Sequence, residues 1–143
     1  MPPEEVSPTD EGVLEGLRVV VCEDEGITQM QLCRILNKTG LVVAGSAVNG
    51  KVAVEMALKE RPDIMLMDIS MPVMDGLEAA QMILANYPAC IIMLTANNGE
   101  EYLRSAREVG AYSYVDKPVS RDVLVPKLVS VWNDFKAGKP AIF

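Results

Sequence analysis

Three short, almost unbroken apolar runs constrain this chain more than any other feature. They are Arg18-Val19-Val20-Val21-Cys22, Ile64-Met65-Leu66-Met67 and Cys90-Ile91-Ile92-Met93-Leu94. A strand with one wet face alternates apolar and polar residues. A continuous run of this length, too short for a helix, reads instead as a strand covered on both faces, the mark of a parallel sheet sandwiched between helices. Val42-Val43-Ala44-Gly45-Ser46-Ala47 and Tyr112-Ser113-Tyr114-Val115 are two weaker strands of the same kind.

Helical patterns fill the gaps. Ile27 to Asn37 carries an apolar stripe through Ile27, Met30 and Cys33, widened by Leu32, Ile35 and Leu36, and Gly40 follows its end. Gly50 to Glu60 groups Val54, Ala57 and Leu58, with Asn49 as N-cap and Pro62 as the stop. Gly76 to Asn86 is led by Leu77, Ala80, Ile83 and Leu84, capped by Asp75 and followed by Pro88. Glu100 to Val109 has acids in its first turn and Gly110 beyond its last. Ser120 to Phe135 is the final helix, and Pro126 inside it predicts a kink or a helix that is regular only afterwards, with Leu124, Leu128 and Trp132 holding it to the core. Strand and helix thus alternate five times, an α/β, (βα)5 chain with one doubly wound parallel sheet and right-handed crossovers.

At 143 residues the chain is long enough for one such domain and too short for two. The acidic, proline-bearing segment 1–16 reads as a flexible leader, since it has neither the basic nor the apolar part of a signal peptide; the domain proper is expected over 17–137, and 138–143 as a tail or the start of a linker. A net charge of −7 without a basic block argues against direct nucleic-acid or membrane-surface binding, and no apolar run nears bilayer-spanning length. Cys22, Cys33 and Cys90 lie in apolar segments without paired spacing and read as buried free thiols, which suits a reducing cytoplasm. The absence of histidine removes Ser-His-Asp catalysis and histidine metal sites, so phosphohistidine chemistry would need another protein's histidine.

In an open parallel sheet, ligands bind beyond the carboxyl ends of the strands. The first strand ends in Glu23-Asp24-Glu25, the third in Asp68, the fourth in Thr95 and the fifth in Asp116-Lys117-Pro118. Any one of these alone would be a strand terminus, a cap or a turn. Their conjunction on one edge gathers carboxylates that repel unless a cation intervenes. A hard divalent cation with oxygen ligands fits, and Mg²⁺ keeps room for a phosphate oxygen. Asp68 is then either a metal ligand alone or also the nucleophile of a phosphoryl transfer, with Lys117 supplying further positive charge and Thr95 a hydrogen bond.

The chain resembles the receiver family of two-component response regulators. The segments carrying the resemblance are V-V-V-C-E-D-E at 19–25, P-D-I-M-L-M-D-I-S-M-P-V-M-D-G at 62–76, I-M-L-T-A at 92–96 and Y-V-D-K-P at 114–118, and it spans about 17–135. It implies a flavodoxin-like sheet of order 2-1-3-4-5. It implies Asp68 as phosphoacceptor, and Mg²⁺, or Mn²⁺ in its place, on Glu23, Asp24, Asp68 and the Ser70 main-chain carbonyl. Thr95, the Ala96 main chain and Lys117 would hold the phosphoryl oxygens. Thr95 and Tyr114 would be switch residues, Ser70 and Asn97 would tune the phosphoryl lifetime, and a cis peptide would join Lys117 to Pro118. Expected partners are a histidine kinase or phosphotransfer protein and an effector or output domain at the helix 4–strand 5–helix 5 face. Expected activity is that of a regulatory phosphoacceptor rather than an enzyme, with self-phosphorylation from phosphodonors and self-dephosphorylation. Glu23 departs from the family's commoner Asp. The segment 120–126 is similar to receivers that precede RNA-binding antitermination modules.

Three other readings compete. A haloacid-dehalogenase-like phosphatase needs an acid where Ser70 stands. A nucleotide or flavin module needs a glycine-rich phosphate loop that is missing. A degenerate receiver that only binds proteins needs no intact acceptor set. Tyr102, Arg104 and Arg107 read as a solvated helix face, and Gly76 as a helix start.

Overall fold

The computed structural model describes residues 12–96 and 100–143. Five parallel strands, β1 (Arg18–Cys22), β2 (Val42–Ala47), β3 (Ile64–Asp68), β4 (Cys90–Thr95) and β5 (Ser113–Asp116), form one sheet of order β2-β1-β3-β4-β5. The crossovers are α1 (Gly26–Asn37), α2 (Gly50–Glu60), α3 (Gly76–Leu84) and α4 (Glu100–Val109), and α5 (Arg121–Lys136) follows β5. The flavodoxin-like order is therefore the one expected.

The period-2 geometry of the strands sorts their side chains into two cores. Val19, Val21, Ile64, Leu66, Ile92 and Leu94 meet Leu32 and Leu36 of α1 and Leu124, Leu128 and Val131 of α5. Val20, Met65, Met67, Ile91 and Met93 face the opposite way, toward Ala53 and Ala57 of α2, Ala79 and Ala80 of α3, and Ala106 of α4. The two layers are built differently. Branched strand residues meet leucines on one side; on the other, unbranched methionines fill the space that alanine-faced helices leave.

Local chemistry fixes the helix ends. Asn49 Oδ1 accepts the Val52 N–H at 2.9 Å and Asp75 Oδ1 the Glu78 N–H at 2.8 Å, so both expected caps are made. The chain leaves α2 through Arg61 in the left-handed region (φ 43°) and α4 through Gly110 (φ 104°). The third helix stops at Leu84, short of the expected Asn86.

Three expectations are corrected. Segment 1–16 is not all leader. Gly12–Leu14 form a 3₁₀ turn, Leu14 is fully buried in the leucine-faced core, and the Gly16 N–H donates to the Gly40 carbonyl at 2.9 Å. Segment 138–143 is no free tail, because Ala141 and Ile142 pack on the same core. Third, of the two outcomes expected at Pro126, a helix regular only afterwards does not occur; α5 is helical from Arg121 onward. Pro126 falls in its second turn, where the missing N–H leaves only one carbonyl unserved, and fully buried Leu124 and Leu128 on either side anchor the segment.

Candidate functional site

The carboxyl ends of β1, β3, β4 and β5 converge as the topology requires, around a cleft of about 310 Å³. Asp24, Glu25, Asp68, Ile69, Ser70, Thr95, Ala96, Tyr102 and Lys117 line it. Asp68 is the last residue of β3 and only 5% exposed. Its Oδ1 accepts the Ser70 N–H at 3.0 Å, which fixes the carboxylate plane, and its Oδ2 accepts from Lys117 Nζ at 2.7 Å. Glu23, just past β1, is fully buried; its Oε2 accepts the Glu25 N–H at 3.0 Å and its Oε1 lies 2.6 Å from Lys117 Nζ. A third carboxylate oxygen, Glu25 Oε1, is 3.5 Å from the same ammonium.

Lys117 is thus the hub of an acidic pocket. Its N–H donates to the Thr95 carbonyl at 2.8 Å, and its peptide bond to Pro118 is cis, as expected. Burial by itself would lower the ammonium's pKa, but the hydrogen bonds and charges of Asp68 and Glu23 outweigh it and push the pKa above the ordinary lysine value. The Glu23 pKa also rises, which for an acid opposes the charged form. Burial raises its pKa, the Lys117 and Glu25 hydrogen bonds pull it down, and the nearby Asp68 charge adds to the rise.

Glu23, Asp24 and Asp68 each present a carboxylate oxygen within 4.8 Å of the other two. An all-oxygen set with two carboxylates shielded from water and one facing it suits a hard cation that retains part of its hydration shell. The donor chemistry fits Mg²⁺. Of the remaining expected residues, Ser70, Thr95 and Ala96 line the cleft, whereas Tyr114 lies half-buried to one side on β5, in a groove with Val123 and Lys127. Asn97 lies outside the described residues.

The family profile described as Response regulator receiver domain matches residues 19–129. The chain belongs to that family. Among curated relatives, the transcriptional regulatory protein PdtaR of Mycobacterium tuberculosis is 37% identical over 128 residues, 90% of this chain; the chain spans only 62% of that relative's length. The signal receiver domain of the response regulator NarL of M. tuberculosis superposes with a TM-score of 0.79 at 27% identity, covering 83% of this receiver and 98% of that chain. A CheX–CheY complex with BeF₃ and Mg²⁺ from Borrelia burgdorferi also gives 0.79 at 27% identity, over 82% of this receiver and 90% of that chain. Among the described residues, no helix is long and apolar enough to cross a membrane.

Sequence reasoning missed several parts of this receiver's site. Gln29 of α1 donates from Nε2 to the Glu23 carbonyl (3.1 Å) and the Ala47 carbonyl (3.3 Å), bracing the acidic loop against β2. Tyr102, expected on a solvated face, stands at the mouth of the cleft, 42% exposed. Gly76 is more than a helix start: a Cβ there would press into the Asp68 carbonyl oxygen. None of these is visible in local patterning, because each depends on which elements face the pocket.

Proposed function

We propose that this receiver is a phosphorylation-dependent switch, with Asp68 accepting a phosphoryl group from a phosphohistidine of a partner kinase or phosphotransfer protein. The observation that carries this reading is the Lys117 ammonium held 2.7 Å from Asp68 Oδ2 and 2.6 Å from Glu23 Oε1, within a water-accessible cleft. An Asp68 oxygen attacks phosphorus in line, the P–N bond to the donor imidazole breaks, and its electron pair returns to that nitrogen, leaving an acyl phosphate on Asp68. Lys117, the Thr95 hydroxyl and the Ala96 N–H donate to the phosphoryl oxygens. Mg²⁺, or Mn²⁺, held by Glu23, Asp24, Asp68 and the Ser70 carbonyl would supply the positive charge that offsets the group's negative charge. Ser70 and Asn97, two positions after Asp68 and Thr95 in the chain, would tune how long the phosphoryl group lasts.

The new charge, about −2 at neutral pH, draws Thr95 toward Asp68. Tyr114 turns into the space behind it, and the α4–β5–α5 face that an effector or output domain reads changes shape. This is a population shift between two states. The net charge of −7 fits a protein partner at that face rather than direct nucleic-acid contact. The three cysteines are free thiols, which suits a reducing compartment, and we place the protein in the cytoplasm.

Acetyl phosphate with Mg²⁺ tests the assignment. The wild-type chain acquires a phosphoryl adduct by mass spectrometry and Asp68→Asn does not. Equal labelling of the two removes Asp68 as acceptor; labelling of neither restores the degenerate, binding-only receiver.

A further inference from the structure

Past α5 the chain turns back onto the domain. Gly138 adopts φ 75°, and the Lys139 N–H donates to the Asp134 carbonyl at 3.0 Å. The Lys139 carbonyl accepts the Tyr112 hydroxyl at 2.7 Å, and the Ile142 N–H donates to the Tyr112 carbonyl at 2.8 Å. Ala141 and Ile142 pack on the leucine-faced core, whereas Phe143 packs on the methionine-faced one. Residues 139–143 therefore cross the open edge of β5 from one face of the sheet to the other.

Phe143 ends in a cleft of about 280 Å³ with Glu100, Leu103, Arg104 and Arg107 of α4. Its ring centroid is 5.6 Å from that of Tyr114, the planes tilted by 32°. Tyr114 also has Lys127 Nζ of α5 at 5.5 Å from its ring. Both contacts exist with Tyr114 where it stands now, in the outer groove. Turning it inward forfeits the Phe143 ring pair and the Lys127 contact together.

We propose that the α4–β5 cleft is a seat for this chain's own segment 139–143, with Phe143 as its plug, and that seating of Phe143 and phosphorylation of Asp68 oppose each other. The inference rests on the switch reading of Asp68 and Tyr114. Coupling between two such events is reciprocal: the seated tail weakens the phosphorylated state by the same factor by which phosphorylation unseats the tail. One aromatic pair sets that factor at about two- to tenfold.

The test uses the full 143-residue chain, with beryllofluoride and Mg²⁺ as the probe and amide exchange read by NMR. Loading is expected to shift the Asp68 and Thr95 amide resonances and to speed exchange of the Ile142 amide, whose acceptor is the Tyr112 carbonyl. Phe143→Ala is expected to bind beryllofluoride about two- to tenfold more tightly than wild type. If the pocket resonances move while Ile142 exchange and the Phe143→Ala affinity both stay at their reference values, the tail inference is overturned and the switch reading survives. If the pocket resonances do not respond at all, the switch reading fails and the inference falls with it. The exchange measurement on wild type decides the matter even if the variant misfolds.

Discussion

Three helices of this receiver begin with glycine at their first helical position: Gly26 in α1, Gly50 in α2 and Gly76 in α3. Replacing such a glycine by alanine removes freedom from the unfolded chain and ordinarily stabilises by about 0.4–1 kcal/mol. At Gly26 nothing lies within 4 Å of an added Cβ, so Gly26→Ala should show this gain. At Gly76 the new methyl would meet the Asp68 carbonyl oxygen well inside contact distance and would stand 3.0 Å from both the Asp68 carbonyl carbon and Ile69 Cα. Ordinary carbon–carbon contact is about 3.5–4.0 Å, and all three neighbours are backbone, so no side chain can swing aside. Either α3 or the end of β3 must move by about 0.5–1 Å, in a core packed to crystal-like density. Overpacking costs about 1–3 kcal/mol, and a clash with three backbone atoms belongs to the upper half of that range, leaving a net loss of about 1–2.5 kcal/mol after the entropic gain. For a domain of this size that lowers Tm by about 3–10 °C, while Gly26→Ala raises it by a few degrees. The shift also falls on β3, which carries the proposed acceptor Asp68, so Gly76→Ala should take phosphoryl label more slowly. Calorimetric melts of the two variants beside wild type read the signs directly. A Gly76→Ala protein as stable as wild type would refute the claim that the start of α3 and the end of β3 touch through backbone.

Lys117→Met leaves buried Glu23 and Asp68 facing each other without the ammonium, and breaking such a set costs about 3 kcal/mol. Mg²⁺ should restore urea stability to this variant by more than it adds to wild type, because the cation answers the same carboxylates; equal increments would count against the shared site. Leu14→Ala, at a fully buried side chain, should cost about 2–5 kcal/mol in chemical denaturation; a change within about 0.5 kcal/mol would show that the 3₁₀ turn does not belong to the core. Burial pushes the Cys22 and Cys90 thiols up to about 12, and raises Cys33 as well. At pH 8 the native protein should therefore react with iodoacetamide at half-buried Cys33 first and at the other two only on unfolding; early labelling of Cys90 would contradict the packing.

The order of elements was legible because its signals are local. Apolar runs covered on both faces, caps at Asn49 and Asp75, and glycine stops each report on a few neighbouring residues, and the sheet they build has the expected order. The chemical set was legible for a related reason. A parallel sheet sends every strand's last residue to one edge, so Glu23, Asp68, Thr95 and Lys117 could be brought together from their positions in the chain alone. Tertiary structure decided what depends on facing surfaces. Only there does Gly76 meet the Asp68 carbonyl, Gln29 brace the acidic loop, Tyr102 stand at the cleft mouth, and the chain ends supply Leu14 to one core and Phe143 to the Tyr114 ring. Such contacts join residues tens of positions apart, and no periodicity marks them. They are set by how closely two finished elements approach, and that distance exists only once the core between them is filled.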